Sequence, residues 1–309
     1  MKKILTVLVL SILLTALQSC QTNDPVDSTE TTQPVASENT SEESTESAVS
    51  NLPRVLIRFI SYDASEAETS KTEYIYDKYG NEACALFYSN GELVQSSKYT
   101  YDQNQRLIKT VDTEHSTEQS FIYEYEYDIN GNKLTETITA THGYLSRRAY
   151  EYDKLNRVVK VTSSTNDSET VFTYDPDNSC VILDRYEYNG EVIFNQTKEK
   201  YNENGDVIYR AAYYQNSLVD IEYETVNIYN AYGLLQTSET YAGDELVMST
   251  SNEYNGDLLV RSTSADAEGV YLISEYEYNQ YGELIKQINK LPSGLVIGYS
   301  EYEYAELHP

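Results

Sequence analysis

Four sets of residues in this chain have side chains suited to chemistry. The histidines are His115, His142 and His308. They lie in different parts of the chain and lack the close spacing of a zinc site. Neither a Gly-x-Ser-x-Gly turn nor a phosphate-binding glycine loop occurs. Carboxylates are plentiful, with 50 Asp and Glu in 309 residues. Folding could bring two together as a hydrolytic pair, but any acidic chain offers that. Asp128-Ile129-Asn130-Gly131-Asn132 and Asn202-Glu203-Asn204-Gly205-Asp206 space their oxygens like part of a calcium loop. They lack its further ligands and distal Glu, and turn chemistry accounts for both. No catalytic residue, metal or cofactor is expected, and the chain reads as non-enzymatic. The last set is aromatic: 32 Tyr and 5 Phe with no Trp. Tyr99 and Tyr101, Tyr125 and Tyr127, and Tyr150 and Tyr152 form close pairs. If exposed, such rings would stack on sugars. The plainer reading is cross-strand packing inside a thin sheet.

The tyrosines are placed by a repeat. Tyr76, Tyr101, Tyr127, Tyr152, Tyr174, Tyr201, Tyr229, Tyr254, Tyr278 and Tyr304 recur at intervals of 22 to 28 residues, the mark of a repeat array. We call them anchors. The residue after the anchor is Asp or Asn in nine copies and Ala305 in the last. The residue two before it is Tyr or Phe in seven copies, and Glu199, Asn227 or Asn252 in the others. Residues two apart on a strand share a face, so Tyr-x-Tyr sets two rings on one side. Asp or Asn then starts a turn, and a following Gly supplies positive φ. A second turn falls midway through many units, as at Asn90-Gly91 and Gly243-Asp244. Each unit is therefore two strands of roughly eight residues.

These units predict an all-β antiparallel meander of about 18–20 strands, with residues 52–60 as the starting strand. Open twisted sheets beyond about ten strands curl. The expected shape is a coiled ribbon or partial spiral shell over residues 51–309, with the tyrosine ladder on its concave side. The sixth and seventh residues after the anchor are both often apolar, as in Val207-Ile208 and Leu284-Ile285. They would point to opposite faces unless a bulge intervenes.

The Tyr-x-Tyr-Asp-x-x-Gly-x-Leu units resemble the YD repeats of the Rhs family, found in toxin-complex shells and teneurins. The likeness covers about residues 71–304. It implies a spiralling β shell, and in larger members an enclosed toxin domain. No self-cleaving segment or effector domain is expected after Tyr304 here. The pattern is more similar to short YD-repeat lipoproteins of Bacteroidota.

Residues 1–19 place Lys2 and Lys3 before an apolar run, which reads as a secretory signal too short to span a bilayer. Leu17-Gln18-Ser19-Cys20 resembles a lipobox, implying acylation of Cys20. Gln21 in the next position implies sorting to the bacterial outer membrane. Residues 20–50 contain no Lys, Arg or aromatic residue, so they read as a disordered acidic tether. The formal charge of −28 argues against nucleic acid as a partner. Cys84 and Cys180 lie nearly four units apart, too far for a disulfide in an open meander. They read as thiols packed like small hydrophobes. The sequence therefore suggests a lipid-anchored envelope protein that binds a glycan or another surface protein. A passive scaffold or spacer, and a carrier remnant of an Rhs-type toxin system, are the alternatives.

Overall fold

The computed structural model describes residues 52–307, apart from 166, 178, 189, 217 and 218. The expected signal segment, Cys20, the tether and His308 lie outside the described residues. Twenty strands follow one another. They are β1 (Arg54–Asp63), β2 (Glu68–Tyr76), β3 (Glu82–Ser89), β4 (Glu92–Tyr101), β5 (Leu107–Glu114), β6 (Gln119–Tyr127) and β7 (Lys133–Ala140). Next come β8 (Gly143–Tyr152), β9 (Val158–Ser163), β10 (Ser168–Asp175), β11 (Ser179–Tyr188), β12 (Glu191–Tyr201), β13 (Val207–Asn216) and β14 (Val219–Tyr229). The last are β15 (Leu235–Ala242), β16 (Glu245–Asn255), β17 (Leu258–Asp266), β18 (Gly269–Tyr278), β19 (Leu284–Lys290) and β20 (Val296–Glu306).

All pairings between sequential strands are antiparallel, as the repeat predicts. The turn after each anchor explains the Asp or Asn. At Asp128, one carboxylate oxygen accepts from the backbone N–H groups of Asn130 and Asn132, both at 2.8 Å. The Asp128 N–H donates to Asn132 O, and the Gly131 N–H to Asp128 O. Gly131 sits at φ +89°, where a side chain is disfavoured. The result is a three-residue hairpin loop, a type I turn completed by one left-handed residue. Asp77, Asp102, Asp153, Asn202, Asn230 and Asn279 build the same loop. The two calcium-like stretches are thus ordinary members of this series.

A bulge answers the question of the adjacent apolar residues. Tyr201 faces Val207, while Lys200 faces Tyr209, so Ile208 is the extra residue. Tyr278 faces Leu284 and Glu277 faces Lys286, leaving Ile285 extra. The same shift occurs beside most anchors. The β10–β11 pair lacks it, with Tyr174 facing Cys180 and Thr173 facing Val181.

The expectation of an open ribbon or partial spiral is corrected here: the sheet closes. β1 pairs along its length with β20, from Arg54 opposite Glu306 to Asp63 opposite Gly298. The physical reason lies in β1. Tyr304 faces Leu56 and Glu303 faces Arg58, which makes Ile57 a bulged residue. The first strand therefore serves as the return strand of the last unit, using the same apolar pair and the same bulge. The Leu307 N–H also donates to Pro53 O at 2.8 Å. Closure removes the two unpaired edges that a spiral would expose. Twenty strands at about 4.8 Å give a circumference of roughly 95 Å before tilt.

Among the described residues no second layer covers this wall. Among the described residues the largest fully buried side chains are Cys84, Cys180, Ser97 and Ser179. Both cysteines are buried and neither forms a disulfide, as the sequence suggested. A ring of this size leaves a lumen, since smaller barrels of 16–18 strands already hold an aqueous channel.

Because each unit is two strands, deleting residues 128–152 should shorten the ring by one hairpin and keep every later strand direction. Circular dichroism should retain its β signature with a modest fall in melting temperature. Deleting only 128–140 should invert all later strands relative to β1 and abolish a cooperative melt. Equal damage from both deletions would contradict the unit boundaries.

Candidate functional site on the tyrosine face

Cross-strand pairing defines one continuous face. Tyr125 faces Glu136, Glu136 faces Arg148, and Arg148 faces Ser163. Tyr150 faces Val161, which faces Thr170, then Asp184, then Asn195. Burial alternates with it. Tyr125, Tyr127, Tyr150 and Tyr152 are half-buried, while the intervening Glu126 and Glu151 are exposed. In a closed single sheet the more covered face is the concave one, so the tyrosines line the interior.

The anchors do structural work there. The ladder between β5 and β6 stops at Lys109 opposite Glu124, leaving the Leu107 carbonyl beyond it. Tyr127 donates its hydroxyl to that carbonyl at 2.8 Å. Tyr101 does the same to Glu82 O at 3.0 Å, Tyr152 to Lys133 O at 2.8 Å and Tyr76 to Leu56 O at 2.7 Å. Tyr174, Tyr229, Tyr254 and Tyr278 repeat it with Val158, Val207, Leu235 and Leu259. In each case the carbonyl belongs to the residue facing the preceding anchor. Where Asn replaces the earlier ring, its amide joins in: Asn227 donates to Val207 O and Asn252 to Leu235 O. Between β11 and β12 the ladder instead runs on through Cys180 and Ser179. There Tyr201 donates to Glu199, a carboxylate also held by Arg210.

The six tyrosines singled out from the sequence therefore sit together on β4, β6 and β8, half-buried, with their hydroxyls engaged. Tyr150 donates to Glu136 Oε2 at 3.3 Å. Tyr99 hydrogen-bonds the Ser97 side chain and Tyr125 that of Thr110. Burial raises the hydroxyl pKa of Tyr99, Tyr101, Tyr125 and Tyr152. The same cause pushes Tyr76 up to about 12. The turn aspartates shift the other way. Backbone hydrogen bonding from Arg106 holds Asp102 below the usual carboxylate range, and the Asn132 side chain leads the same effect at Asp128.

Sequence reading missed a polar cleft of about 400 Å³ on this face, running across β8 to β12. Ser146, Arg148, Ser163, Thr170, Asp184 and Asn195 are among its lining. Thr170 donates to Asp184 Oδ1 at 2.6 Å, and Arg148 reaches Glu136 Oε1 at 3.2 Å. The signal was available. At these inward positions the aromatic Phe121 and Tyr123 of β6 give way to Ser, Thr, Asp and Asn. It became readable only once register told inward positions from outward ones. Among the described residues, no group of three or more His, Cys, Asp or Glu is arranged to hold a metal.

The family model of the teneurin YD-shell matches residues 51–225, more than half of the chain. The chain belongs to the teneurin YD-shell family. This YD-shell chain is also similar to solved structures of a TcdB2-TccC3 complex, at 10% identity over 75% of this chain and 16% of that one, with a TM-score of 0.35. A TcdB2-TccC3-TEV structure aligns at 13% identity over 75% and 14%, with a TM-score of 0.33. A porin-like protein from Bacteroides uniformis aligns at 10% identity over 82% and 99%, with a TM-score of 0.34. Overlaps at this level establish neither a common shape nor a common role. No curated protein matches the chain in sequence.

The raised tyrosine pKa values give the YD shell an alkaline limit. A hydroxyl must keep its proton to donate. A folded-state pKa above the unfolded value of about 10 means stabilisation that is complete below pH 10. It is lost as pH rises through the folded value, about 12 for Tyr76. Melting temperature should hold to about pH 10 and then fall as tyrosinate absorbance appears. In a Tyr76→Phe variant the melting temperature at neutral pH should drop by an amount corresponding to about 1 kcal/mol. Tyrosine ionisation well below the loss of structure would contradict the role of these hydroxyl-to-carbonyl bonds.

Proposed function

We propose that this YD-shell protein is a non-enzymatic, lipid-anchored protein of the bacterial outer membrane. In this reading Cys20 carries the acyl anchor, residues 20–50 form the tether, and the shell binds a polyhydroxylated ligand such as a glycan on its tyrosine face. The observation that carries the binding reading is the cleft across β8–β12. Its donors and acceptors run over five strands, its inward charges are Arg148 on one side and Asp184 on the other, and it adjoins the half-buried Tyr150. Neutral, closely spaced donors and acceptors beside an aromatic ring are the recognition chemistry of sugars rather than of phosphate backbones. The wall's own hydrogen bonding uses most of the anchor tyrosine hydroxyls, so ligand specificity falls to the Ser, Thr, Asp and Asn side chains.

Glycan-array screening of the mature protein, followed by calorimetry, tests this. An Asp184→Ala, Asn195→Ala double variant should bind at least tenfold more weakly, a loss of about 1.4 kcal/mol, with its melting temperature nearly unchanged. Tyr150→Ser should lower both binding and melting temperature, because that ring is half-buried and its hydroxyl is engaged. No glycan binding, together with large melting losses at the tyrosines, would leave the passive scaffold. The anchor is tested separately. Cys20→Ala should release the protein from the detergent phase, and unchanged partitioning would defeat the lipoprotein reading.

A further inference from the structure

The two rims of the ring are different. Every anchor turn lies on one rim. Five of these turns carry a large apolar side chain at the tip: Tyr79 is 64% exposed, Ile129 98%, Leu155 72%, Tyr232 83% and Tyr281 50%. They follow β2, β6, β8, β14 and β18, so they are distributed around the whole circumference. The turn does not require them. Asn104 and Asn204 occupy the same position as Tyr79 in sister turns with the same hydrogen bonds. Among the described loops of the opposite rim, exposed large apolar residues occur only at Leu291 and Leu295, in a single loop. The other exposed apolar residues near that rim lie on the strands of the wall.

β1 begins at Arg54, beside the end of β20 and opposite the end of β2. The chain before residue 54 therefore leaves the shell at the anchor rim. We propose that this rim seats on a lipid surface, its apolar tips entering the interfacial layer of the bilayer. The proposal rests on the lipid-anchor reading for its placement, because the 20–50 tether would hold this rim, and not the other, nearest the membrane. A circle of single side chains at one height suits a plane. A folded protein partner would need a contiguous patch, which this rim lacks. Tyrosine is suited to the headgroup boundary, where one end of the side chain is apolar and the other wet, and leucine and isoleucine to the acyl side of it. Lys78 lies with its Nζ 5.0 Å from the centre of the Tyr79 ring, and Lys154 precedes Leu155, so both ammonium groups would meet lipid phosphates. With a formal charge of −28 on the chain, the preferred surface is zwitterionic rather than anionic.

The chain contains no tryptophan, so a single introduced indole reports on one place only. In full-length mature protein with Cys20→Ala, Tyr232→Trp and Tyr79→Trp should show blue-shifted fluorescence with phosphatidylcholine vesicles and be quenched by brominated lipid. Ala67→Trp, on the opposite rim, should show neither. A triple Tyr79→Ser, Tyr232→Ser, Tyr281→Ser variant should lose at least tenfold in vesicle partitioning, keep its melting temperature, and respond little to salt. Identical spectra at the two rims would overturn the proposal. So would a dimer that the triple variant breaks while vesicles remain unbound, since that would make the rim a contact between two copies. Mass analysis of native Cys20 separates the two readings. An unmodified cysteine with tip-dependent vesicle binding would end the anchor and keep the rim, while an acylated cysteine with silent tips would do the reverse.

Discussion

Among the described residues the wall is one sheet thick, with no second layer to pack against. Cohesion must therefore come from contacts between neighbouring strands, and the weakest place is where the ladder between two hairpins stops short. The hydrogen bond from eight of the ten anchor tyrosines to the carbonyl just past that point closes the gap. A part-buried carbonyl left without a donor costs about 1–3 kcal/mol, and the ring presents this liability once per unit. Tyrosine meets it with one side chain, because the ring covers the inner face while the hydroxyl reaches the backbone. Phenylalanine would supply only the first of these.

The bulge and the turn belong to the same device. The turn fixes where each hairpin reverses, and the bulge beside the anchor bends each hairpin in the same place. Repeated in most units, a small bend accumulates into closure. The ring then ends as it is built, with Leu56 and Ile57 of β1 standing where Val207 and Ile208 stand in an internal unit. The unit at β10–β11 shows the dependence from the other side. It has no bulge, its ladder to β12 continues, and Tyr201 turns to Glu199 instead of a carbonyl.

Much of this was legible in the sequence. The period, the two strands per unit, the Asp or Asn turn and the inward tyrosines all follow from local rules that a 25-residue window contains. The closure did not follow, because it is a relation between residues 54–63 and 296–306. The sequence of β1 lacks an anchor and so looks like a lead-in strand rather than half of the last unit. The adjacent apolar residues pointed to a bulge without establishing one, since two neighbouring hydrophobes also suit a strand buried on both faces. The cleft was missed for a similar reason. Serine and threonine on β8 to β12 look like ordinary strand residues until Arg148, Asp184 and Asn195 are known to share one concave face.

In functional terms, the closed ring separates structural residues from available ones. The tyrosine hydroxyls and turn carboxylates are committed to the wall, which leaves the polar cleft inside and the apolar tips at one rim for other molecules. All of this depends on β1 meeting β20. Ser61 and Ser300 are direct partners across that seam, with their hydroxyl oxygens 3.2 Å apart. The decisive measurement is therefore oxidation of a Ser61→Cys, Ser300→Cys variant in a Cys20→Ala background, followed by non-reducing electrophoresis and peptide mapping. A closed ring predicts rapid, near-complete formation of the intramolecular 61–300 disulfide in folded monomer. A folded monomer that stays reduced at both positions, or links them only between molecules, would contradict it.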